Sequence, residues 1–196
     1  MDHFGKIPLF KGDAAVFLPL LPGENGPSLL FEQRAFHLAA QPGDICFPGG
    51  GVEEGENPET AAVREIQEEL LIRKEQIRVQ GILRPVQGPF GRKVWPVVGD
   101  LCGYQGSFSR EEVDQTFSVP IKDLLEMVPE VYGAVSVTVP DEDFPFDRIQ
   151  GGRQYPWSRI RKKIYFYEWK GITIWGMTAG ILHSFLEELR AGTKGE

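Results

Sequence analysis

Three glutamates, Glu65, Glu68 and Glu69, fall at i, i+3 and i+4 in the segment GGVEEGENPETAAVREIQEELLI, residues 50–72. On a helix that spacing puts their carboxylates on one face. The flanking residues predict the helix. Asn57 is a good N-cap, and Pro58 suits the first helical position, where a missing N–H is no loss. Ala61, Ala62, Val63 and Ile66 then continue it. Like charges at this spacing repel by roughly 0.2–0.5 kcal/mol per pair, and a cation removes that repulsion. Hard divalent ions take oxygen ligands, and Mg²⁺ binds through a few carboxylates plus substrate phosphates. A lone acidic cluster of this kind reads more readily as a solvated helix face. The glycine run Gly49-Gly50-Gly51 ahead of it, and Arg64 among the acids, argue for chemistry.

The whole string resembles the Nudix box, G-x5-E-x7-R-E-U-x-E-E-x-G-U, with U a bulky aliphatic residue. Gly50 fills the first glycine, Glu56 the first glutamate and Arg64-Glu65 the central pair. Ile66 is the aliphatic, Glu68-Glu69 the terminal pair and Ile72 the last aliphatic. Leu71 stands where the pattern has glycine, a position that normally lets the chain leave the helix with positive φ. Other segments resemble the coenzyme A diphosphatase subgroup: Leu29-Leu30 through Arg34, then Gly43 and Phe47-Pro48-Gly49-Gly50, then Glu112-Val113 with Phe117 and Val119-Pro120, and finally Trp175-Gly176 with Thr178-Ala179. Ala39 and Gly180 stand where that subgroup commonly carries arginine.

The resemblance implies an α/β chain with the Nudix fold, an α/β/α sandwich around a mixed β-sheet. It implies metal-dependent hydrolysis of a nucleoside diphosphate linked to another moiety, with coenzyme A or its derivatives cleaved to 3′-phospho-AMP and 4′-phosphopantetheine. ADP-ribose or another nucleoside diphosphate derivative is the alternative substrate, and a non-catalytic nucleotide-sensing module the alternative class. Mg²⁺ or Mn²⁺ would be held by Glu65 and Glu69, with Glu68 as a third ligand and the carbonyl of Gly49 as a further one. Phosphoryl transfer asks mainly for positioning and charge neutralisation. Arg64 would orient the carboxylates with Glu56 as its partner, or tie the loop to the helix structurally. The general base is Glu65 or a carboxylate outside the box. Among Glu111, Glu112 and Asp114, just before the strand TFSVP, Glu112 is the choice. Gly50 and Arg34 are expected against the substrate, since arginine suits bidentate phosphate recognition.

The elements that must position these groups follow from pattern and punctuation. Ala14–Leu20 reads as a strand stopped by Pro19 and Pro22, and 22–27 (PGENGP) as a turn into a second strand, Ser28–Arg34. Ile45–Phe47 is a short strand feeding the glycine loop, and the helix lies near Pro58–Leu70. Ile77–Arg84 and Val94–Leu101 flank a loop rich in Pro and Gly, Pro85–Lys93. Thr116–Val119 is a strand and Ile121–Met127 a short helix. Lys163–Trp169 and Ile172–Trp175 form a hairpin across Lys170-Gly171. Gly176–Arg190 is an amphipathic helix with Ile181, Leu182, Phe185, Leu186 and Leu189 on one side. Residues 129–157 show little periodicity and read as a lid or a solvated insertion.

The bulk numbers agree. A chain of 196 residues, 41% hydrophobic and 25% charged, suits one folded domain over residues 1–196. The net charge of −7 gives no support to nucleic-acid binding. The expected partner is a small nucleotide-like molecule, with a homodimer left open. Cys46 and Cys102 are expected to be buried, reduced thiols, which fits a cytoplasmic protein. The first residues lack a signal-peptide pattern, and no stretch approaches the roughly 20 apolar residues of a membrane span. His3, His37 and His183 have no ligand spacing, and there is no P-loop, CxxC pair or HExxH. Arg159, Arg161, Lys162 and Lys163 form a basic run ahead of an aromatic strand.

Overall fold

The computed structural model describes residues 12–24, 26–88 and 91–192. Its strands are β1 (Ala14–Leu21), β2 (Ser28–Arg34), β3 (Ile45–Cys46), β4 (Gly49–Gly51), β5 (Ile77–Ile82), β6 (Val86–Gln87), β7 (Lys93–Leu101), β8 (Val113–Pro120), β9 (Glu130–Val137), β10 (Arg159–Trp169) and β11 (Ile172–Trp175). The helices are α1 (Pro58–Leu70), α2 (Ile121–Glu126) and α3 (Gly176–Gly192). His3 lies outside the described residues.

β1 to β8 form one mixed sheet. β1 runs parallel to β7 and antiparallel to β2 and β4, and β2 also pairs antiparallel with β3 and β8. Residue alternation then assigns the two faces. Ala15 and Phe17 of β1, Leu30 of β2, and Val97 and Leu101 of β7 pack on Ala61, Ala62, Ile66 and Leu70 of α1. Their neighbours Leu18, Leu20, Leu29, Phe31 and Val98 pack instead with Ile181, Leu182, Phe185 and Leu186 of α3. The sheet is therefore buried on both faces, as an α/β/α sandwich requires.

Two expectations need correction. Pro19 does not stop β1; it lies inside the strand, beside Gly99 of β7. On the other side of β1, pairing passes from β4, up to Val16, to β2, from Leu20. Pro19 sits in the gap between them, where a residue with no N–H is tolerated. The stretch 129–157 begins with a strand: β9 pairs antiparallel with β10 from Glu130↔Phe166 to Val137↔Arg159. Val131, Tyr132, Val135 and Val137 are all exposed, so apolar residues occupy both faces. Alternation appears in a sequence only when one face is buried. Beyond β9, Phe144, Phe146, Tyr155 and Trp157 pack edge-on into an aromatic cluster.

Candidate active site

α1 starts and stops where its residues dictate. The Asn57 side chain accepts from the Thr60 N–H at 2.9 Å, and Pro58 opens the first turn. Leu71 closes the helix with φ 52° and ψ 45°, its N–H bonded to the Gln67 carbonyl. A leucine thus takes the left-handed exit usually given to glycine, with its side chain 60% exposed.

The buried edge of α1 carries more than apolar residues. Glu69 is 4% exposed, and its Oε2 accepts the Gly49 N–H at 2.8 Å. This edge does not face open solvent. Instead α1 lies with this edge against β4 and β2. Glu65 is half-buried and turned to Arg64, with Nη1 2.8 Å from Oε1. A Cβ at Gly50 would strike the Glu65 carboxylate, and one at Gly49 would strike the Ala15 carbonyl and Val16. Gly50 therefore lets β4 lie directly under the acidic face, and Gly49 lets it lie close against β1. Glu68 is exposed and only 3.6 Å from Arg64.

Arg64 ties this corner together. Its Nε and Nη2 donate to the two Glu56 oxygens at 3.0 and 3.1 Å, and Nη2 also donates to the Gly51 carbonyl at 3.0 Å. This bidentate pair, expected from the sequence, holds the Glu56 carboxyl below its ordinary range. Burial, partly offset by Arg64, pushes the Glu65 carboxyl up. The Glu69 carboxyl is pushed up further, by burial first and then by the charge of Glu32.

Glu32 is a carboxylate that the motif does not contain. It lies on β2 two residues after Leu30, hence on the α1 face, and is 1% exposed. An acid directly after the apolar run Leu29-Leu30-Phe31, in phase with Leu30, is the sequence signal that marks it. Glu112 is exposed, yet its charge reaches Glu32, Glu65 and Glu69, so it overlooks the same corner. Among the described residues no three His, Cys, Asp or Glu side chains are arranged to hold a metal as placed. Glu65 is drawn to Arg64 and Glu69 to the Gly49 N–H. The Gly49 contact with the acids runs through its N–H. The donor chemistry nevertheless fits a hard divalent ion, since every candidate is a carboxylate oxygen.

Arg34 ends β2, with Nε donating to the Ala40 carbonyl at 3.3 Å. It lines a pocket of about 130 Å³ with Cys46, Trp175, Gly176 and Thr178. Thr178 Oγ1 donates to the Ile45 carbonyl at 3.0 Å and so fixes the start of α3 against β3. Next to it, Gln33, Asp44, Gln115, Phe166, Thr173 and Trp175 line an open cleft of about 510 Å³. Cys46 and Cys102 are free thiols, but Cys102 is exposed rather than buried. His183 stacks on Tyr165 and meets the Tyr167 hydroxyl at 3.1 Å, a packing role.

Residues 11–136 match the NUDIX domain family. An uncharacterized Nudix hydrolase NudL of Enterobacter sp. (strain 638) is 32% identical over 89% of this chain and 81% of its own length. That of Escherichia coli O7:K1 is 30% identical over 92% and 83%. Among solved structures, the Nudix hydrolase RenU from M. Smegmatis is similar, with TM-score 0.50 and 25% identity over 58% of this chain and 73% of that one. The chain belongs to the Nudix hydrolase family. It is an enzyme acting on a nucleoside diphosphate derivative, and Nudix hydrolases generally use divalent metal ions. No helix among the described residues is long and apolar enough to cross a membrane.

Proposed function

We propose that the chain hydrolyses the diphosphate of coenzyme A or its derivatives, with Mg²⁺ or Mn²⁺, to 3′-phospho-AMP and 4′-phosphopantetheine. One observation carries this reading. Arg34 and the Trp175-to-Thr178 segment, far apart in sequence, line one pocket, and that pocket includes Cys46, whose Sγ lies 3.2 Å from Glu32. The two segments that most resemble the coenzyme A subgroup thus meet beside the acidic corner.

Glu65, Glu68 and Glu69 hold the metal in this reading. When bound, the ion neutralises charge on the diphosphate and makes water more acidic. Arg64 keeps Glu65 in place through its hold on Glu56 and Gly51. Glu112, exposed at the rim, takes the proton of the attacking water as general base. Gly50, without a Cβ, admits the diphosphate over the Glu65 carboxylate. Arg34 meets a substrate phosphate with its guanidinium, and the stacked pair Phe166 and Trp175, with centroids 5.8 Å apart, offers an aromatic wall to the rest of the molecule. The free thiols suit a cytoplasmic setting.

Ala39 and Gly180, in place of two arginines, favour a second reading in which ADP-ribose is the better substrate. Incubating the protein and Mg²⁺ with coenzyme A, ADP-ribose, NADH and diadenosine polyphosphates, and identifying products by mass, separates the two. Release of 4′-phosphopantetheine as the fastest reaction supports the first reading. Far more efficient turnover of ADP-ribose overturns it.

A further inference from the structure

Glu32 of β2 and Glu69 of α1 are both buried, at 1% and 4% exposure. Glu69 has one hydrogen bond, from the Gly49 N–H. Glu32 Oε1 accepts the Cys46 thiol proton at 3.2 Å, while Oε2 has no partner at all. Among the described residues the ion pairs run from Arg64 to Glu56, Glu65 and Glu68, and from Arg190 to Glu187; none reaches Glu32 or Glu69. The charge of Arg34 reaches Glu32 but forms no contact pair with it, so two carboxylates in one water-excluded place weaken the fold by desolvation and by mutual repulsion. A strand position facing a helix needs no acid, and the neighbouring Leu30 shows what packing alone selects.

We propose that Glu32 is a further oxygen ligand of the divalent-metal centre, supplied by the sheet opposite the α1 carboxylates. The inference rests on the metal-dependent reading above and extends it to a residue outside the box. An ion arriving between α1 and β2 gives the orphan Oε2 its partner and cancels the charge that Glu32 places on Glu69. Cys46 is the positioning residue. It is the cross-strand neighbour of Glu32, and its hydrogen bond engages Oε1 and leaves Oε2 free.

The test measures metal binding on the intact protein. Free Mn²⁺ is followed by electron paramagnetic resonance during titration, and thermal melts are recorded with and without Mn²⁺. Glu32→Gln is expected to weaken Mn²⁺ binding at least about tenfold or to lose one bound ion. Its metal-free melting temperature should equal or exceed that of the wild type, because a buried charge has gone, and the rise in melting temperature on adding Mn²⁺ should shrink. Wild-type affinity and stoichiometry in Glu32→Gln overturn the proposal while leaving the box ligands in place. So does a lower metal-free melting temperature with an undiminished Mn²⁺ response, which makes Glu32 only a partner for Cys46. A wild type that takes up no Mn²⁺ overturns the metal-dependent reading as well. If Glu32→Gln does not fold, Glu32→Thr, uncharged and suited to a strand, is read by the same outcomes.

Discussion

A carboxylate as buried as Glu69, held by one backbone N–H, opposes folding until a cation meets it. Glu69→Gln keeps an oxygen for the Gly49 N–H and removes the charge. It should lower kcat by about 10²-fold or more, the upper end of what even a ligand's supporting partner is worth. The metal-free melting temperature should not fall. Normal turnover would remove Glu69 from the ligand set. Glu56 behaves in the opposite sense. Its hydrogen bonds from Arg64 lower its folded pKa below the ordinary value of 4.5, so the native state binds fewer protons than the unfolded chain near that pH. The stability from this pair is present above about pH 4.5 and lost as pH falls through the folded value. Glu56→Gln should therefore melt about 2–4 °C lower at pH 7, for a loss near 1 kcal/mol, with the gap closing in acid. A gap that persists unchanged in acid would mean packing, not charge, is at stake. The spacing of Glu65, Glu68 and Glu69 made their shared face legible in sequence. What covers that face was not, because charge periodicity does not say which edge of a helix meets a sheet. For the same reason Glu32, set by strand phase rather than by the box, went unread.

At the scale of elements, the start of α1 was legible to the residue because Asn57 and Pro58 give it a chemical cause, while its end was not, because Leu71 takes a left-handed exit that a sequence normally marks with glycine. Leucine pays about 1–2 kcal/mol for that backbone, and glycine returns roughly 0.4–1 kcal/mol of it as unfolded-chain entropy. Leu71→Gly should therefore raise the melting temperature by about 1–3 °C, since the side chain is exposed and little packing is lost. A lower melting temperature would show that Leu71 packs against something that matters. The hairpin across Lys170-Gly171 was equally readable, and both residues do take positive φ, 48° and 83°. β9 was not, because neither of its faces is buried. Pro19 misled because its tolerance depends on where β4 hands over to β2, which only the assembled sheet defines.

Over the whole molecule, the proposed site joins two regions: the acidic corner between α1 and the first sheet, and the clefts where β2, β3 and β8 face β10 and β11. Arg34 stands between them. Arg34→Ala should raise KM for coenzyme A about tenfold with kcat little changed, the pattern of a remote phosphate bound equally in ground and transition states. Unchanged kinetics would return Arg34 to a surface role, and a fall in kcat at constant KM would move it to the scissile diphosphate. The central claim, a metal-dependent cut in the diphosphate of coenzyme A, is tested most directly by kcat/KM for coenzyme A and for ADP-ribose on the same preparation, with Mg²⁺ and again after chelation. The account predicts a higher value for coenzyme A, with 3′-phospho-AMP and 4′-phosphopantetheine as products, and none of that activity once the metal is removed. Coenzyme A turnover that survives chelation, or a far higher kcat/KM for ADP-ribose, would contradict it.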